Sequence, residues 1–104
     1  MISIICGTNR GQSVSKQIAI YYQNSLQEAG AKSYILDLKE LPTDFLNVAL
    51  YENAGKSERF NAIKKNLNDS QKMVFIVPEY NGSFPGVLKT FIDALDYPDS
   101  LKNK

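Results

Sequence analysis

Val77-Pro78-Glu79-Tyr80-Asn81-Gly82-Ser83-Phe84-Pro85-Gly86 joins a wholly apolar run, Met73 to Val77, to an amphipathic segment, Val87 to Leu95. That order predicts strand, binding loop and helix. Pro78 ends the strand because it has no ladder donor, and Asn81-Gly82 supplies a turn that tolerates positive φ. Ser83 offers a helix cap, and Pro85 suits the first helical turn. A polar and aromatic loop is thereby held at the carboxyl end of a buried strand, where open α/β sheets take their ligands.

The start of the chain has the same organisation with different chemistry. Ile2-Ser3-Ile4-Ile5-Cys6 predicts a short strand and Gly7-Thr8-Asn9-Arg10-Gly11-Gln12-Ser13 the loop after it, with Ser13 or Ser15 capping a helix. Hydroxyls at Thr8, Ser13 and Ser15, two glycines and the Arg10 guanidinium converge on the free N–H groups at the start of that helix. An anionic phosphate is the ligand such a constellation suits.

Between these loops the chain keeps an α/β rhythm. Ser15 to Ala29 places Ile18, Ala19, Tyr22 and Leu26 on one helical face, with Gly30 as its stop. Ser33 to Leu38 predicts a second strand, and Lys39 to Lys56 a long connecting loop with room for one short helical turn. Ser57 to Asn68, with Phe60, Ile63, Lys64 and Leu67 at helical spacing, predicts a helix leading to a strand from Lys72 to Val77. Phe84, Leu88 and Phe91 are expected to pack, and Asp93 and Asp96 to be surface charges.

Gly7-Thr8-Asn9-Arg10-x-x-Ser13-x-Ser15, followed by Pro78-Glu79-Tyr80-Asn81-x-Ser83-x-Pro85-Gly86-x-Leu88-Lys89, resembles the NADPH-dependent FMN reductase family. That resemblance implies a flavodoxin-like α/β fold, a doubly wound parallel sheet in which this chain supplies three strands in the order 2-1-3. Both ligand loops then meet beside the first and third strands. The resemblance also implies that Thr8, Arg10, Gln12, Ser13, Val14 and Ser15 hold the FMN phosphate through side chains and backbone amides. Pro78, Glu79, Tyr80, Asn81 and Gly82 would line the isoalloxazine ring. Thr8 stands where the family often has serine and Ser15 where it often has asparagine, and both keep a hydrogen-bonding group. NADPH is the implied co-substrate, a quinone, flavin or other small molecule the acceptor, and a homo-oligomer, dimer or tetramer, the assembly. No side chain is expected to be catalytic, because the flavin carries the chemistry and the protein orients it. The family domain has five strands, so residues 1–104 are expected to form one domain that is C-terminally incomplete relative to it.

Composition fits a single soluble domain: 104 residues, 43% hydrophobic, formal net charge +1. Basic residues are scattered along the sequence, which argues against a nucleic-acid or anionic-membrane surface. The N-terminus enters an apolar strand with no basic leader, and no apolar run approaches membrane-spanning length. A lone Cys6 excludes an internal disulfide and makes a reducing cytoplasm the expected compartment.

Other chemistries fit poorly. In a phosphatase-like arrangement of cysteine, five residues and arginine, the arginine position falls on Gln12, so Cys6 is expected to be a small buried strand residue. The first loop lacks the Gly-Lys-Ser/Thr ending of a nucleotide triphosphate loop. The sequence has no histidine and no carboxylate cluster for a metal. Glu79 is expected to contribute its backbone amide rather than act as a base, and Tyr80 either touches a ring or packs at an interface. The alternative to an enzyme is a non-enzymatic flavodoxin-like module, either an electron carrier or a fragment that retains the fold without the flavin; a third reading is a structural subdomain that pairs with another chain.

Overall fold

The computed structural model describes residues 1–104. Three parallel strands, β1 (Ile2–Cys6), β2 (Ser33–Asp37) and β3 (Lys72–Ile76), form one sheet in the order β2-β1-β3. Ile4 pairs with Ile35 on one side and Val74 on the other, so β1 is central and all three strands end at the same level. The helices are α1 (Val14–Glu28), a single turn α2 (Phe45–Val48), α3 (Glu58–Asn68) and α4 (Gly86–Asp93). No helix is long and apolar enough to cross a membrane.

Strand alternation divides the sheet between two unequal layers. Ile5 and Leu36 point to the face covered by α3 and α4, where twelve buried apolar residues form the main core. Phe45, Phe60 and Phe91 run through it edge to face, with ring centroids 4.8 Å and 6.1 Å apart. Ile4 and Cys6 point to the opposite face and bury only Ala19 of α1 beside them, a cluster of three.

The α1 face departs from the expected stripe. Ser15 and Ala19 are buried, whereas Ile18, Ile20, Tyr21 and Tyr22 are exposed. Small residues at the contact let the helix lie close to the sheet, and the large ones flank it. Gly30 ends α1 as expected: it takes φ +82°, its N–H donates to Gln27 O, and the Ala31 N–H donates to Leu26 O. These are the two bonds of a Schellman cap.

The segment expected to be a loop from Lys39 to Lys56 is instead a wall of the core. Two 3₁₀ turns, Leu38–Glu40 and Tyr51–Asn53, bracket α2, and Leu38, Leu41, Phe45, Ala49 and Leu50 are buried. Short turns at irregular spacing let each apolar residue face inward without giving a helical or strand period. β2 stops at Asp37 because its carboxylate accepts the Lys39 N–H at 3.0 Å and turns the chain. Asp93 and Asp96 are surface charges as expected, Asp93 paired with Lys89 and Asp96 with the Lys64 ammonium at 2.9 Å. Lys64 is buried on α3, and its ammonium lies 5.9 Å from the Phe60 ring centroid.

β3 ends at Ile76, one residue earlier than expected, and forms an edge of the sheet. Met73, Val74, Phe75 and Ile76 are only half-buried. An apolar strand of this kind normally has neighbours on both sides.

Phe60 touches both other rings of the core. Phe60→Ala is expected to cost about 3–5 kcal/mol of unfolding free energy, measured by urea denaturation followed by circular dichroism.

Candidate ligand site at the carboxyl ends of β1 and β3

The first loop leaves β1 pressed against the end of β3. Gly7 donates its N–H to Ile76 O at 2.9 Å, and a Cβ at Gly7 would lie 3.2 Å from that oxygen and 3.4 Å from Leu88 Cδ2. A side chain there would force the strand ends or α4 to shift. Thr8 follows, fully buried, and its Oγ1 accepts the Arg10 N–H at 3.2 Å. Gln12 takes φ +52°, and Ser13 then caps α1 by accepting the Lys16 N–H at 3.1 Å. Of the two expected caps, Ser13 is the one used; Ser15 lies within the helix.

The loop is rich in unused donors. The N–H groups of Asn9, Gly11, Gln12 and Ser13 have no hydrogen-bond partner within the chain. Those of Val14 and Ser15 belong to the first helical turn, where none is available from the helix. Ser15 is only 7% exposed, and its hydroxyl makes no hydrogen bond within the chain. The Ser13 hydroxyl, which accepts the Lys16 N–H, also lies 4.0 Å from Cys6 Sγ. Donors this dense at the positive end of a helix fit an anion such as a phosphate.

The second loop is a rigid turn. Tyr80 N–H donates to Ser83 O at 2.8 Å and Ser83 N–H returns to Tyr80 O at 3.1 Å. Asn81 and Gly82 between them take φ +53° and +79°, the pattern of a type I′ turn. The Glu79 carboxylate accepts the Gly82 N–H, so its side chain braces the turn. Ser83 is not a helix cap: α4 begins three residues further on, at Gly86, and no side chain caps it. Pro85 occupies the cap position of α4, one residue before the helical turn expected for it. Phe84 is half exposed rather than packed.

A hydrogen bond joins the two loops: Thr8 Oγ1 and Tyr80 Oη lie 2.8 Å apart. The structure thus brings Thr8, Ser13 and Ser15 to the start of α1, with Arg10, Gln12 and Val14 exposed around them. Pro78, Glu79, Tyr80, Asn81 and Gly82 form the adjoining turn. Val14 directs its side chain to solvent, leaving its amide as its contribution.

Three charged groups beside the first loop had no part in the sequence reading. Asp37, nearly buried at the end of β2, pairs with Lys16 of α1 at 3.3 Å. Lys39 follows on the 3₁₀ turn, bordering a cleft of about 400 Å³ that Asn9, Thr43, Phe45 and Thr90 also line. A carboxylate ending an apolar strand, Ile35-Leu36-Asp37, was the available signal. Behind the loop, burial pushes the Cys6 thiol above its ordinary value, and the Asp37 carboxylate adds to this. The Ser13 hydroxyl, the Thr8 amide and Lys16 pull the other way.

A parallel sheet ordered 2-1-3, with a donor-lined loop after the first strand and a rigid turn after the third, defines a flavodoxin-like α/β domain. Residues 1–104 match the family described as NADPH-dependent FMN reductase, and the chain belongs to that family. It is 30% identical over 104 residues to a 2-hydroxy-1,4-benzoquinone reductase from Burkholderia sp, covering 93% of this chain and 50% of the relative. An FMN-dependent NADPH-azoreductase from Staphylococcus saprophyticus is 29% identical over 98 residues, with 92% and 52% covered. Among solved structures, the apo form of an NADH:FMN oxidoreductase superposes with a TM-score of 0.75 at 19% identity, covering 91% of this chain and 49% of that one. The flavoenzyme NAD(P)H:(acceptor) oxidoreductase from Paracoccus denitrificans gives 0.69 at 25% identity, with 95% and 53% covered. The chain spans about half the length of the curated relatives it matches.

Tyr80→Phe removes the bond between the loops and is expected to lower stability by about 1 kcal/mol in urea denaturation. Cys6 is fully buried with a raised pKa, so it should react with a thiol reagent at pH 8 only after denaturant is added. Rapid labelling of the folded chain would contradict this burial.

Proposed function

We propose that the chain binds FMN and serves an NAD(P)H-dependent oxidoreductase acting on small acceptors such as quinones, azo compounds or free flavin. The observation that carries this reading is the Thr8–Tyr80 bond, which holds a donor-lined loop and a rigid turn at one end of the sheet. A phosphorylated ligand with a planar ring needs both. The unused amides of Asn9, Gly11, Gln12 and Ser13, with Arg10 and the hydroxyls of Ser13 and Ser15, would hold the phosphate. Pro78 to Gly82 would carry the ring, with the turn fixed by Glu79 rather than ordered on binding. When bound, the flavin accepts a hydride from the nicotinamide and passes electrons to the acceptor. The buried free thiol of Cys6 agrees with a reducing, cytoplasmic setting.

The open edge of β3 supports a further part to this reading. Additional strands, such as the remaining half of the relatives' length would supply, or a second copy of the chain, would cover the edge and complete the ring's surroundings. In sedimentation, the 104-residue chain is expected to dimerise or aggregate; a well-behaved monomer binding FMN tightly would count against this part.

The direct test is NADPH oxidation by the purified chain with FMN and a quinone. Flavin binding without turnover would favour an electron carrier instead. Arg10→Ala is expected to weaken FMN binding by about 1.5–3 kcal/mol, the range for hydrogen bonds to charged groups, with riboflavin affinity unchanged. Gly82→Val places a β-branched residue at φ +79° and should distort the turn. It should weaken FMN and riboflavin alike while the helical circular dichroism persists, and unaltered titrations would count against this turn as the ring site.

A further inference from the structure

We propose that Lys39 is the second cation of the phosphate site, an inference that rests on the FMN reading above. Its ammonium folds back over the first loop: Nζ lies 3.7 Å and Cε 3.8 Å from the place a Cβ would take at Gly11. Gly11 has no side chain to stand between that ammonium and the loop's unused amides. The position of Lys39 is built into the fold, because its N–H is held by the Asp37 carboxylate at 3.0 Å where β2 turns into the 3₁₀ helix.

Charge matching gives the placement its meaning. A phosphate monoester carries roughly −1.5 to −2 near pH 7. The charged groups beside the loop are Arg10 on the loop itself, Lys16 on α1, Asp37 at the end of β2 and Lys39 just beyond it. Lys16 is spent on Asp37 at 3.3 Å. Arg10 alone leaves about half to one unit of negative charge unmatched. Lys39 forms no ion pair with a carboxylate of the chain and supplies the missing positive charge. It would act as a compact point charge beside the donors, and Arg10 as the directional partner.

The test titrates the wild-type chain, Lys39→Met and Lys39→Arg with FMN and with riboflavin, following flavin fluorescence, and compares ligand-free thermal unfolding of all three. Lys39→Met should weaken FMN binding roughly tenfold and leave riboflavin binding and unfolding unchanged, while Lys39→Arg should retain most of the FMN affinity. Equal FMN affinity in Lys39→Met and wild type, with wild type still preferring FMN over riboflavin, overturns the role of Lys39 and leaves the phosphate site standing. Equal loss of both ligands assigns Lys39 to the structure of the loop and overturns the proposal. A wild-type chain with no preference for FMN over riboflavin overturns the phosphate reading and Lys39 with it.

Discussion

The junction between the ends of β1 and β3 is the constraint on which the rest of the site depends. Gly7 hands its N–H to Ile76 O in a space where even a Cβ would press within 3.2 Å of that oxygen, and the next residue, Thr8, meets Tyr80 from the other loop. With the two strands locked in register, each loop has only one way to leave the sheet. The first rises into the N-terminus of α1, and the second folds into the turn closed by Tyr80 and Ser83. Two segments separated by about seventy residues of chain thereby act as one surface, at the carboxyl ends of parallel strands where helix starts and unpaired amides gather.

Asp37 organises the other side of that surface. A nearly buried carboxylate is costly unless it is paired and hydrogen-bonded. Here it takes Lys16 from α1 and the amide of Lys39 from its own turn. One side chain therefore fixes the rotation of α1 relative to β2 and the direction in which the chain leaves the sheet. Its partnership with Lys16 also offsets a negative charge beside the donor-lined loop.

The strands and the two loops were legible because their signals are local. Alternating or continuous apolar runs, Pro78, Asn81-Gly82 and the serine caps act within a few residues of where they stand. The expected strand boundaries at Leu38 and Val77 each ran one residue too far. What could not be read was whatever depends on the opposing surface. Lys39 to Lys56 has no period, yet it walls the core, because Leu38, Leu41, Phe45 and Leu50 are turned inward by separate short turns. On α1, the expected face holds at Ala19 and Leu26, but closeness to the sheet buries Ser15 and leaves Ile18 and Tyr22 exposed. Ser83 carries the chemistry of a cap, but its backbone closes a turn with Tyr80. Of the candidate site residues, the clustering of Thr8, Ser13 and Ser15 followed from adjacent sequence. The Thr8–Tyr80 contact and the placement of Lys39 needed strand order and register.

The two faces of the sheet are unequally sealed, and this ties ligand to scaffold. α1 is held by a cluster of three buried apolar residues, against twelve on the opposite face. Its detachment would open that face of the sheet while leaving the larger cluster in place. Its first turn is also the rim of the donor-lined loop. If the proposed phosphate site is correct, an anion seated there would bind the closed arrangement and not the open one, and by mass action would raise the free energy needed to release the helix. On the proposed FMN reading α1 would act as a reporter, its protection from solvent exchange rising and falling with occupancy.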